Sequence, residues 1–97
     1  MAFAAETICV QGSNERRDPF GAISMPIYQN AAYAHAGLGK STGYDYSRCG
    51  NPTRDEVQKT VALLEQGTEA LALSTGMAAI TALMEIFSPG DHLIATD

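Results

Sequence analysis

The apolar positions of the chain fall into two regimes. Along residues 1–50 they follow no sustained period, and Gly12, Gly21, Gly37, Gly39, Gly43 and Gly50, with Pro19 and Pro26, break them up. This predicts an extended arm with short strands and turns. Such an arm buries little of itself and is expected to lie on another surface. From residue 51 a period sets in. In NPTRDEVQKTVALLEQG, Val57, Val61 and Leu64 recur at i, i+4 and i+7, one apolar stripe of a helix. Pro52 suits its first turn, Thr53 and Glu56 have capping-box spacing, and Gly67 is a natural stop. EALALS, residues 69–74, reads as a short buried strand. GMAAITALMEIF reads as a second helix with Met77, Ile80, Leu83, Met84 and Phe87 on one broad face. SPGD is a turn, and HLIAT begins another strand.

The order helix, strand, helix, strand predicts a parallel βαβ unit of an α/β sheet. Two strands do not make a stable parallel sheet, which needs neighbours and cover on both faces. The 97 residues are therefore expected to be the front piece of a larger protein. Residues 1–50 would form an N-terminal arm and residues 51–97 the beginning of an α/β domain with an incomplete sheet.

Composition narrows the function. A chain of this size buries only about 60–65% of its unfolded surface, enough for one small domain at most. The formal net charge of -5 disfavours nucleic-acid backbones and anionic membranes as partners. Cys9 and Cys49 form neither a disulfide framework nor a metal pattern, and buried or spectator thiols in a reducing compartment are expected. The N-terminus lacks a basic leader region and no apolar run reaches membrane-spanning length, so the cytoplasm is the expected location. His35 and His92 have no carboxylate or thiol partner at ligand spacing, and Glu65, Glu69 and Glu85 read as solvated ends of elements.

AHAGLGKS, residues 34–41, comes within one residue of a phosphate-gripping P-loop, with Ala34 at the first glycine position. The motif works only between a buried strand and a helix. Here Pro26, Gln29 and Asn30 precede it, and Gly43, Gly50 and Pro52 follow, so no helix can start at Ser41. A loop with a solvated Lys40 is the better reading.

LALSTGMAAI offers a better anion site. A strand ends at Ser74, a glycine turn follows and a helix begins. The first amides of a helix have no internal partner and sit at its positive end. Thr75, Gly76 and Met77 can present N–H groups, and Ser74 or Thr75 a hydroxyl, to one anion. Taken alone, the segment is better read as a plain strand-to-helix turn, since such junctions are common in βαβ units. In YDYSRCGNPT, an extended backbone would put Tyr44, Tyr46 and Arg48 on one side, where Arg48 offers a fork suited to phosphate and Tyr46 a phenolic donor. Taken alone, it is better read as a surface strand with a solvated arginine.

GAISMPIYQNAAY, YDYSRCGNPTRDEV, LALSTGM and SPGDHLIATD together resemble, in order and spacing, the start of the Cys/Met-metabolism family. These are pyridoxal 5′-phosphate (PLP) enzymes of trans-sulfuration, including cystathionine γ-synthase, cystathionine β-lyase and methionine γ-lyase. YSRCGNPT is the specific part, and the stretch is nearest in look to the γ-synthase and β-lyase branch. The resemblance runs from Thr7 onward and implies a fold-type-I aminotransferase-like fold. It implies PLP as cofactor, with Thr75, Gly76 and Met77 holding its phosphate within one subunit. Tyr46 and Arg48 would reach the phosphate of a neighbouring subunit, in a homodimer or homotetramer. It implies a lyase or transferase working by β/γ-elimination or γ-replacement on sulfur amino acids or acylated homoserine.

The resemblance places the ring-stacking aromatic, the pyridine-pairing aspartate and the Schiff-base lysine beyond Asp97. Lys59 lies about 200° around its helix from Val57, away from the apolar stripe, and Lys40 lies in a glycine loop, so neither is a desolvated amine. These residues therefore include no catalytic group, and the polypeptide alone is expected to be inactive. The alternative is a stand-alone, non-enzymatic α/β interaction fragment.

Overall fold

The start of the main helix shows how the chain is organised. A computed structural model describes residues 3–13 and 18–96. Its helices are α1 (Ala5–Gln11), α2 (Pro52–Leu64) and α3 (Gly76–Met84). Pro52 occupies the first turn of α2, as expected, but the cap is Asn51, whose side chain accepts from the Thr53 amide at 2.8 Å. The expected Thr53–Glu56 capping box is not formed. The Thr53 hydroxyl instead accepts from the Tyr28 amide at 2.8 Å. The Glu56 carboxylate takes the Ser13 amide at 2.7 Å and the Ser13 hydroxyl at 2.8 Å. Both capping-box residues are thus spent on fastening the arm.

Helix α2 ends where Gly67 predicted, by a slightly different device. Gln66, not the glycine, takes the left-handed conformation at φ 55°. The Gly67 amide reaches back to Ala62 O at 2.8 Å and that of Gln66 to Leu63 O at 3.3 Å, a Schellman stop. Helix α3 is capped by Thr75 and closes at Met84, short of Phe87. The SPGD turn is present, with Asp91 accepting from the Ser88 amide at 2.7 Å and Gly90 at φ 103°.

Two expectations are corrected. The arm contains a helix, α1, which packs on α2. The irregular composition around Ala5–Gln11 hid it, because a seven-residue helix shows no full apolar period and takes its stability from what it lies against. The strands expected at residues 69–74 and 92–96 are not formed among the described residues. A strand is defined by its ladder, and here the Ala72 amide is taken by the Gln58 side chain at 2.9 Å. The single strand-like pairing described is an isolated antiparallel bridge, Ala32 to Tyr46.

The apolar stripe of α2 is not a core. Val57 is 51% exposed and Val61 42%, and among the described residues only Ala62 is buried. Ile80, Leu83, Met84 and Phe87 on α3 are exposed as well. The chain keeps 8247 Å² of accessible surface, where a compact monomer of this mass would keep about 5,400 Å². Its radius of gyration is 17.1 Å, against about 13 Å for a compact chain of this length. These residues form an open frame around α2.

At the end of α1, Gly12 has φ 69° and ψ -151°, a region essentially restricted to glycine. A Cβ there would stand 2.2 Å from Glu56 Oε1. Gly12→Ala is expected to break the Ser13–Glu56 contact at a cost of about 1–3 kcal/mol. Faster amide hydrogen exchange in α1, with α2 little changed, is the expected reading.

Candidate functional site

The turn carrying Arg48 is built from three directions. On one side, the bridge region fixes it: the Ser47 amide donates to Ala31 O at 2.8 Å, the Tyr33 amide to Asp45 O at 3.2 Å, and the Ser47 hydroxyl to Asn30 O. The turn then closes on itself, with the amides of Cys49 and Gly50 both donating to Tyr46 O, at 2.9 and 3.0 Å. From α2, Asn51 donates to Ser47 Oγ at 3.1 Å and to Tyr28 O at 3.2 Å. Arg54 donates to the carbonyls of Ser47, Arg48 and Cys49 at 3.5, 3.1 and 2.8 Å.

This geometry corrects the extended reading of residues 44–48. The backbone turns at Ser47, so the three side chains do not line one side. Tyr44 faces the frame: its hydroxyl donates to Asp55 at 2.7 Å and its ring lies 5.4 Å from that of Tyr33. Tyr46 and Arg48 remain together and exposed, with the Arg48 guanidinium 4.9 Å from the centroid of the Tyr46 ring. That cation–π contact holds the fork over an aromatic face without using its hydrogen-bond donors. Among the described residues Arg48 has no carboxylate partner.

The second segment is the start of α3. Thr75 Oγ1 accepts from the Ala78 amide at 3.0 Å, and Thr75 O accepts from that of Ala79 at 3.2 Å. The hydroxyl hydrogen of Thr75 is left for another acceptor. The amides of Gly76 and Met77, first and second in the helix, have no acceptor among the described residues. No atom lies within 4 Å of where a Gly76 Cβ would stand, so the approach is open. Two unpaired amides, a free hydroxyl hydrogen and the positive end of a helix suit a phosphate. No bond joins Tyr46 or Arg48 to Thr75, Gly76 or Met77 within the chain. Each segment presents its donors outward by itself.

The AHAGLGKS stretch is a tight loop. The Lys40 amide donates to Gly37 O at 3.0 Å and that of Ala36 to Lys40 O at 3.3 Å, and the next helix begins only at Pro52. His35 has no carboxylate at ligand spacing in the sequence, but the fold supplies one: His35 Nε2 lies 2.7 Å from Asp45 Oδ1. Ser41 donates to the same oxygen at 2.6 Å. A loop closing on itself brings these residues together, which sequence spacing could not reveal. Cys9 and Cys49 are free and exposed, not buried. Among the described residues no helix is long and apolar enough to cross a membrane.

Sequence reasoning missed Arg54 and Asn51, although both lie inside the quoted motif. The signal available was an arginine in the first turn of a helix, where a cation is disfavoured unless it has another task.

Comparison with known proteins places these segments. Residues 6–97 match the family model described as Cys/Met metabolism PLP-dependent enzyme. The chain is 43% identical over 96 residues to cystathionine gamma-synthase of Haemophilus influenzae, covering 98% of this chain and 26% of that protein. It is 45% identical over 92 residues to cystathionine gamma-lyase of Bacillus subtilis, covering 95% of this chain and 24% of that one. Among solved structures it is similar to a cystathionine gamma synthase from Xanthomonas oryzae pv. oryzae in complex with aminoacrylate and cysteine. That match has a TM-score of 0.78 and 36% identity, and covers 94% of this chain and 24% of the other. The chain thus spans about a quarter of the length of the curated relatives it matches.

The loop contact yields a pH prediction. The Ser41 hydrogen bond is the main cause holding the Asp45 carboxyl below its ordinary value; desolvation opposes it, and the His35 hydrogen bond and charge add to it. A depressed carboxylate pKa stabilises the folded loop above the unfolded value, about 3.9, and that stabilisation fades as pH falls through the folded value. The Asp45 side-chain carbonyl resonance is expected to titrate low in the parent chain and to move upward in Ser41→Ala.

Proposed function

The chain belongs to the Cys/Met metabolism PLP-dependent enzyme family, and from that premise we propose that it is the N-terminal portion of a trans-sulfuration enzyme. The enzyme would act by β/γ-elimination or γ-replacement on sulfur amino acids or acylated homoserine. The observation that carries the reading is the pair of unpaired amides at Gly76 and Met77, beside an open Gly76 and the free Thr75 hydroxyl hydrogen. These fit the PLP phosphate. A dianion there would take two N–H bonds and one O–H bond at a helix N-terminus, each charge-assisted and worth about 1.5–3 kcal/mol. Tyr46 and Arg48 would supply a phenol and a guanidinium to the same group.

In this reading the arm, residues 1–50, would carry Tyr46 and Arg48, which stand together and exposed, to the phosphate of a neighbouring subunit. Residues 51–97 would begin the PLP-binding domain of a fold-type-I aminotransferase-like fold, in a cytoplasmic homodimer or homotetramer. The exposed apolar faces of α2 and α3 are surfaces that such a domain and such an oligomer would cover.

When bound, PLP supplies an electron sink beside the substrate's α-carbon. The residues of this chain hold its phosphate and fix its position. Neither Lys40 nor Lys59 is proposed as the catalytic amine, and a polypeptide of these 97 residues alone is proposed to be inactive.

In the full-length enzyme, Arg48→Ala is expected to weaken PLP binding by roughly 10- to 100-fold, the loss of about one charge-assisted bond. Equilibrium titration of the apoprotein measures it, and an unchanged affinity would remove the phosphate role. Oligomers mixed from inactive Arg48→Ala subunits and inactive subunits lacking the catalytic lysine should regain part of the activity. No regain on mixing would mean that Arg48 serves its own subunit's site.

A further inference from the structure

Resting on the phosphate reading above, we infer that Arg54 is a positioning residue of that site: it holds the Ser47, Arg48 and Cys49 backbone and so fixes where Arg48 stands. Its guanidinium spans three consecutive carbonyls, with Nη1 at 3.5 Å from Ser47 O and 3.1 Å from Arg48 O, and Nη2 at 2.8 Å from Cys49 O.

The turn is a single helical turn. Its amides at Cys49 and Gly50 both return to Tyr46 O, and its carbonyls end without a following turn to pair them. Orphan carbonyls at the end of a helical turn favour a cation, and a planar fork can serve several of them together. The near side of the turn is tied to Asn30 and Ala31 through Ser47, but Cys49 O is held by Arg54. Arg48 lies between these anchors. Without the far one, the backbone under Arg48 gains freedom that phosphate binding must then remove.

The setting of Arg54 points the same way. It lies in the first turn of α2, where the helix dipole disfavours a positive charge. The adjacent carboxylates serve other groups: Asp55 accepts from the Tyr44 hydroxyl at 2.7 Å, and Glu56 holds Ser13 at 2.7 and 2.8 Å. The bonds of Arg54 go to the turn. A lysine would keep the charge but could not reproduce the fork.

The test is PLP affinity of the assembled full-length apoprotein, by fluorescence titration, for Arg48→Ala, Arg54→Ala, Arg54→Lys and the double variant R48A/R54A. Each Arg54 variant is expected to bind roughly tenfold more weakly. The double variant should bind within about twofold of Arg48→Ala, because with Arg48 gone its placement no longer matters. A purely structural Arg54 would instead add its full loss in the Arg48→Ala background, which overturns the inference. Parent affinity in Arg54→Ala, or full rescue by Arg54→Lys, overturns it too. Should Arg54→Ala fail to assemble, Arg54→Lys carries the same expectation. If Arg48→Ala binds like the parent, the phosphate reading falls and this inference with it. If Arg48→Ala is weakened and the Arg54 variants are not, this inference alone falls.

Discussion

The amide of Asn51 is the joint on which the described structure turns. Its oxygen caps α2 through the Thr53 amide, and its nitrogen donates both to Tyr28 O and to Ser47 Oγ. Helix start, arm and Arg48 turn therefore meet at one side chain. An N-cap alone is worth about 1 kcal/mol, but the larger effect here is geometric. The Arg48 turn cannot move far from the first turn of α2 without breaking a cap. The two bonds from Tyr28 to Thr53 and Asn51 bind the arm at the same place. With almost no buried side chain among the described residues, the chain keeps its order there through polar contacts that one short motif supplies.

What the sequence could tell followed from what each feature depends on. The body of α2 was legible because its apolar period and Pro52 are local signals. The start of α3 was legible for the same reason, a glycine preceded by a good capping residue. The capping box was misread because Thr53 and Glu56 have partners in the arm, 25 and 43 residues away. Distant bonds of that kind leave no trace in spacing. Helix α1 is too short to show a period. The strands were read from composition, but a strand exists only when a second strand meets it. For the candidate site, the pairing of Tyr46 with Arg48 was foreseen, whereas its cause was not. The two residues meet across a turn, not along a strand, and Arg54 and Asn51 hold that turn.

The exposed stripe on α2 has a simple physical reading. The helix turns Glu56, Thr60 and Ala62 toward the neighbourhood of α1 and residues 67–71, while Val57 and Val61 face out. An amphipathic helix gains little from water on its apolar side, so this orientation is stable only if something else covers the stripe. The surface in excess of a compact monomer, about 2,900 Å² by the mass scaling, is of the order that obligate interfaces and domain cores bury.

Charge raises a last question, because a chain with a net charge of -5 is proposed to hold a dianion. Net charge acts over distances comparable to the Debye length, about 8–10 Å in physiological salt, whereas phosphate binding is settled by the groups in contact. Near the Arg48 turn the acidic groups are already engaged: Asp45 by Ser41 and His35, Asp55 by Tyr44, Glu56 by Ser13. Each carboxylate has a donor of its own, and none pairs with Arg48. The guanidinium is thereby kept available, resting on an aromatic ring that does not consume its donors. At the start of α3 the donors are backbone amides, which attract an anion without adding to the formal charge. On the proposed reading, an acidic chain would bind a phosphate through Arg48, which has no carboxylate partner among the described residues, and through oriented peptide dipoles, its nearby carboxylates being occupied elsewhere.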